Sequence, residues 1–177
     1  MLAMSSTTLS FVAPISEADL ATPHPVLKFY QKYSVGFDNL YHTDPLRFYA
    51  DSSTITFPDG KVLQGASKIW VFYQQIYGSF GKTTGECLSL HLLSDEATGT
   101  YTLHMELIRS LRGREDGNEV KVPQYFVYSI GKADPGAGSD GLQIHGVRCY
   151  YDYSLLKSAA DAIGVDTTTW KTVDIEA

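Results

Sequence analysis

His104 and Glu106 stand two residues apart in the segment Thr100–Arg112, and on an extended backbone residues i and i+2 leave the same face. An imidazole beside a carboxylate is an acid/base pair. A carboxylate among apolar side chains has its charged form penalised and its proton affinity raised, whereas a neighbouring imidazolium lowers it again. Either balance places a proton-transfer group near neutral pH. Such a pair suits proton movement next to a carbonyl: enolisation, aldol-type ring closure, dehydration or double-bond migration. Glu106 is the expected general base and His104 its partner. Tyr33 and Gln124 could donate hydrogen bonds to the enolate oxygen that develops. Other readings stay open: a solvated cross-strand contact for His104 and Glu106, a core phenol for Tyr33, a strand-edge amide for Gln124.

Phe57, Phe126, Cys149 and Tyr151 complete the expected substrate-binding set. Cys149 alternates with His145 and Tyr151, and with no adjacent cation to stabilise a thiolate it reads as a small buried hydrophobe. His42, His91 and His145 lack partners at metal-ligand spacing, so no metal is expected. The chain has no Gly-x-Gly-x-x-Gly, no phosphate loop and no Gly-x-Ser-x-Gly elbow, and no cofactor is expected.

These residues must be positioned by helices first and strands afterwards. Val26, Tyr30, Tyr33, Phe37 and Leu40 or Tyr41 recur at three- and four-residue steps, which predicts a helix over 24–42. Asp44-Pro45 opens a short helix to Tyr49. Ser53–Phe57 reads as a strand, turned by Pro58-Asp59-Gly60 and returning through Lys61–Gln64. Ile69, Phe72, Tyr73, Ile76, Tyr77 and Phe80 share the face of a third helix. After Gly81 the apolar residues alternate, which predicts long strands at Glu86–Leu93, Thr100–Arg112, Val120–Lys132 and Leu142–Tyr153, paired as a meander. Residues 154–163 suit a further short helix. The expected division is a flexible arm at 1–22, one α+β domain at 23–157 and a tail at 158–177. A strongly curved sheet wrapped on helices leaves a pocket between them.

With 177 residues, a net charge of −6, an estimated pI near 5.2 and 44% apolar residues, the chain suits one acidic globular domain. Excess negative charge argues against a nucleic-acid partner. Two cysteines and a start, MLAMSSTTLS, without a basic end and apolar run lead to the expectation of a cytoplasmic protein. No apolar run is long enough to span a membrane, and no membrane partner is expected.

Tyr49-Ala-Asp51 before the first strand, Leu63-Gln-Gly65 followed by Ile69, and Gly141-Leu-Gln-Ile144 leading into Arg148-Cys-Tyr-Tyr-Asp152 occur in an order that resembles the nuclear-transport-factor-2-like superfamily over residues 24–157. The likeness is to its SnoaL-like branch of polyketide cyclases, isomerases, dehydratases and epoxide hydrolases. It implies a cone-shaped, curved antiparallel sheet around three N-terminal helices, enclosing a pocket. Thr100–Arg109 is similar to the limonene epoxide hydrolase strand that carries an inward Arg and, two residues on, an inward Asp. His104 and Glu106 take those positions, and the third acidic position falls at Cys149. The ketosteroid isomerase base falls near Phe57 and its protonated acid near Gln124, while a helix-one tyrosine falls at Tyr33. Scytalone dehydratase, another relative, works with histidines and a carboxylate.

The resemblance implies a homodimer formed through the convex sheet face and a cofactor-free enzyme for a hydrophobic, oxygenated small molecule such as a polyketide or terpenoid intermediate. Two other readings stand beside it: a non-catalytic binding protein of the same fold, and an adaptor like nuclear transport factor 2 itself, which Phe57–Gly65 also resembles.

Overall fold

Helix α1 (Pro25–Asp38) starts on a proline in its first turn, with His24 as N-cap accepting from Val26 N at 3.3 Å. The computed structural model describes residues 6–12, 24–114, 118–168 and 170. One stripe of α1, Val26, Phe29, Tyr33 and Phe37, is buried. Gly36 lies on the same stripe, at a helical position where glycine costs about 1 kcal/mol against alanine. A methyl group there would overlap the ring of buried Phe48, so the glycine is what lets α1 lie against it.

Asp44 caps a short 3-10 turn, Pro45–Arg47, which leads into β2 (Tyr49–Thr56). Fully buried Gln143 fastens this entry, donating to Leu46 O at 2.6 Å and Tyr49 O at 3.0 Å while accepting from Asp134 N at 2.8 Å. β3 (Val62–Gln64) returns against β2, and α2 (Ala66–Tyr77) buries Ile69, Trp70, Phe72, Tyr73, Ile76 and Tyr77. The meander follows as β4 (Lys82–Asp95), β5 (Thr100–Arg112), β6 (Glu119–Lys132) and β7 (Leu142–Tyr150). Helix α3 (Tyr153–Ala162) is capped by Asp152, which accepts from Ser154 N and Leu155 N.

With β1 (Ser6–Val12) the sheet is seven-stranded, curved and unclosed, in the order β1-β4-β5-β6-β7-β2-β3. Its pairs are antiparallel except β2 with β7, which run parallel because β2 enters from the helical layer. The expected α+β architecture is therefore present. Its third N-terminal helix is the 3-10 turn, and α3 comes after the sheet.

Two boundaries differ from the expectation. Within the supposed arm, residues 6–12 form an edge strand on β4, from Ser6 opposite Asp95 to Val12 opposite Ser89. A β4 edge would otherwise present a row of unpaired backbone groups, and a short run of Thr and apolar residues suffices to cover it. Residues 1–5 and 13–22 of that arm lie outside the described residues. At the other end the fold runs on past residue 157: α3 reaches Ala162, and Ile163, Val165 and Trp170 are buried.

The core lies between α1, α2 and the concave sheet face. Strand β5 sets the parity that matters for the site. Leu103, Met105, Leu107 and Leu111 point inward and are buried, whereas Glu106, between them, is exposed.

Candidate functional site

A cavity of about 660 Å³ opens between α1, α2 and strands β4 to β6, lined by aromatic rings, Met105 and Leu107, with Asp38 and Arg109 its charged groups. Its phenols are linked. Tyr49 Oη, behind the wall, lies 2.9 Å from Tyr33 Oη and 3.2 Å from Tyr73 Oη, and Tyr30 donates to Met105 Sδ at 3.2 Å. Burial pushes the Tyr30, Tyr33, Tyr49, Tyr73, Tyr77 and Tyr128 phenols up, so at neutral pH they are uncharged hydrogen-bonding groups and poor bases.

Arg109 sits on the inward parity of β5. Its guanidinium carbon lies 5.3 Å from the Phe37 ring centre and 5.4 Å from that of Tyr77, a stacked position in which ring faces hold a cation. Nε donates to Gln124 Oε1 at 3.4 Å, and Gln124 Nε2 in turn donates to Tyr77 Oη at 3.1 Å. Among the described residues the ion pairs are Lys32–Asp140, Lys61–Asp59 and Arg112–Glu119, so Arg109 has no carboxylate in contact. Asp38, at the rim, has its carboxyl pushed up by partial burial and drawn down by the Arg109 charge. Among the lining groups it is the one fitted to take a proton near neutral pH.

No family model matches the sequence, and neither does any curated protein. Solved structures do. A Salmonella enterica serovar Typhimurium protein of the nuclear transport factor 2 superfamily is 18% identical, with 70% of this chain and 86% of that one covered and a TM-score of 0.55. The fold is nuclear-transport-factor-2-like. A hexachlorocyclohexane dehydrochlorinase superposes with a TM-score of 0.56 at 12% identity over 78% of this chain and 90% of its own. A protein of Novosphingobium aromaticivorans with a provisional assignment as a scytalone dehydratase does so at 0.57 and 10%, over 72% and 81%. At these identities the likeness is one of fold.

In this nuclear-transport-factor-2-like cone, Tyr33 and Phe126 line the cavity, and Gln124 is buried behind Arg109. Tyr151 packs on Phe126 with ring centres 6.1 Å apart, one layer back. Cys149 is buried with Sγ 3.5 Å from Thr56 O, and burial raises its thiol to about 12, in keeping with an inert side chain. Phe57 packs on Phe72 at 5.2 Å, away from the cavity lining.

The acid/base pair needs correction. His104 and Glu106 leave the opposite face of β5 from the cavity. His104 Nδ1 is hydrogen-bonded to Tyr125 Oη at 2.7 Å, and exposed Glu106 accepts from Ser89 Oγ at 3.2 Å. The reason is the period of two. Four apolar residues at 103, 105, 107 and 111 claim the core face, and the even positions must turn outward. That same parity carries the signal for Arg109, a charge standing in the apolar series. Asp38, one residue beyond Phe37 at the end of α1, has no comparable mark in the sequence.

Proposed function

We propose that the chain is a cofactor-free acid/base enzyme of cyclase, isomerase or dehydratase type, acting on a hydrophobic oxygenated small molecule such as a polyketide or terpenoid intermediate. The observation that carries this reading is Arg109: a guanidinium held by Phe37 and Tyr77 at an aromatic cavity, with no carboxylate in contact among the described residues. Asp38 removes a proton from the carbon beside a carbonyl, and the electron pair moves onto the carbonyl oxygen. Arg109 stabilises that oxygen's developing charge, aided by Tyr77, whose hydroxyl is tied to the same Gln124. Asp38 then returns the proton to another carbon in an isomerisation, or to a departing hydroxyl in a dehydration. Dehydrochlorinase and dehydratase, the names carried by two structural neighbours, both denote eliminations, which begin with such a proton removal.

A second reading, a binding protein without turnover, draws support from the rim position of Asp38 and the absence of any histidine among the cavity-lining residues. The two part experimentally. Ligand retained through purification is identified by native mass spectrometry, and its conversion is followed with wild type, Asp38→Asn and Arg109→Met. The enzyme reading expects Asp38→Asn to bind the ligand but lose turnover by about a hundredfold or more. Equal turnover by that variant overturns it, and binding without conversion by wild type selects the second reading. Homodimerisation through the convex face, where His104, Tyr125 and exposed Tyr150 stand, belongs to the same proposal. Light scattering on the full chain checks it.

A further inference from the structure

A second cavity, about 500 Å³, adjoins the first and shares Phe37, Asp38, Tyr77 and Thr84 with it. Its far side is built from Lys82, Thr83 and Arg114. The two together carry three cations, Arg109, Lys82 and Arg114, against one carboxylate, Asp38. The chain as a whole has the opposite balance, with a net charge of −6. A local reversal of sign at the mouth of an apolar cavity concentrates anions there.

The cations are not used up by the protein. Among the described residues Lys82 and Arg114 make no ion pair. Lys82 stands across the ladder from Arg112, a like charge that pairs instead with Glu119. Arg114 spends one donor on Gly78 O at 2.7 Å, at the C-terminal end of α2, and has others left. The same wall holds Thr83 Oγ1, the buried side-chain polar atom that lacks a hydrogen-bond partner among the described residues. A hydroxyl in that state gains by donating to an incoming anion.

We infer that the substrate of the site proposed above is an amphiphilic carboxylate, with its apolar body in the aromatic cavity and its carboxylate between Lys82 and Arg114 in the adjoining one. Asp38, standing at the junction, repels the head group from its own neighbourhood and so favours this orientation over the reverse. The inference rests on the small-molecule reading of the cavity and adds the charge and polarity of the ligand.

The test is titration of the full-length protein with dodecanoic acid and naphthylacetic acid, each against its own methyl ester, at low and high salt. The acids are expected to bind about tenfold more tightly than the esters at low salt, a preference that shrinks as salt rises. Lys82→Ala and Arg114→Ala abolish that preference while leaving ester affinity unchanged. Lys82→Ala is read by itself as well, because Arg114→Ala also loosens the end of α2. Esters that bind as tightly as acids, or a preference that survives both substitutions, overturn the inference and leave the cavity reading standing. If neither form of either probe binds, the cavity reading falls too.

Discussion

Gly85 and Arg109 face each other across the β4–β5 ladder, and a Cβ atom at position 85 would stand 3.2 Å from Arg109 Nη1. The missing side chain on β4 is the space in which the guanidinium folds across the strand toward Phe37 and Tyr77. Gly85→Val therefore removes the seat of Arg109 without touching Arg109 itself. The neighbour that must give way is the free end of a flexible side chain, so the fold survives and its melting temperature changes little. Affinity for the bound ligand should fall by about tenfold, the scale of one well-placed charged hydrogen bond. Unchanged affinity in a folded Gly85→Val protein would detach Arg109 from binding.

The buried phenols make a prediction about alkaline pH. Burial holds Tyr33, Tyr49, Tyr73, Tyr128 and Tyr151 well above the ordinary tyrosine range and Cys149 at about 12. In the unfolded chain tyrosines release their protons near ~10 and cysteines near ~8.5. Above those values the unfolded state binds fewer protons than the folded one, so stability falls as pH rises, by about 1.4 kcal/mol per pH unit for each such group. Below them these groups leave stability independent of pH. Tyrosinate absorbance should accordingly rise in one steep step that coincides with loss of circular dichroism. Phenols that titrate near ~10 in a still-folded protein would contradict the burial argument.

Tyr49 is the hinge of the phenol chain, because its hydroxyl meets both Tyr33 and Tyr73. Tyr49→Phe leaves two buried hydroxyls short of a partner and should cost about 2 kcal/mol. Tyr33→Phe removes the end of the chain and strands one hydroxyl fewer, so its cost should be about half as large. Denaturant melts of both variants and of the pair check the order. Equal costs would mean that the chain is not a connected network.

How far the sequence revealed this arrangement depends on how strongly periodicity constrains each part. Helix α1 and strands β5 to β7 were legible because their apolar residues repeat over many positions at one period. Residues 6–12 were not, since a seven-residue strand is decided by a distant partner, β4, that local pattern does not contain. At the site, Tyr33 and Phe126 followed from the same stripes that make the core. His104 and Glu106 were drawn to the site by their chemistry, against the alternation of Leu103, Met105 and Leu107 that turns them outward. Arg109 was legible in principle, as the charge on the apolar parity. Asp38 was not, because its meaning comes from the approach of α1 to β5.

The outward position of Glu106 carries its own test. Ser89 Oγ is its partner, and the side chain is exposed. Glu106→Gln keeps the shape and the hydrogen-bonding capacity, so stability should change by less than about 0.5 kcal/mol. Ligand affinity and any turnover should be unaltered, in contrast to Arg109→Met. A large loss of turnover in Glu106→Gln would return that carboxylate to the mechanism and require a different register for β5.

The end of the described chain closes the fold. Trp170 is buried with its ring centre 5.9 Å from Phe80 and 6.2 Å from Tyr153, and its Nε1 donates to Ser79 Oγ at 3.0 Å. Phe80 is also part of the second cavity's wall, so the anchor of the C-terminal segment and the wall share a residue. Trp170→Ala removes the ring that fixes Phe80 and should cost about 3 kcal/mol, the lower end for a buried tryptophan. Trp170→Phe, which keeps most of the ring contact and loses the hydrogen bond to Ser79, should cost about 1 kcal/mol. If the ring matters to the cavity through Phe80, the Ala variant also binds the amphiphilic acid more weakly at temperatures where it is fully folded, while the Phe variant does not. A Trp170→Ala protein as stable as wild type would show that the segment beyond α3 contributes nothing to the core.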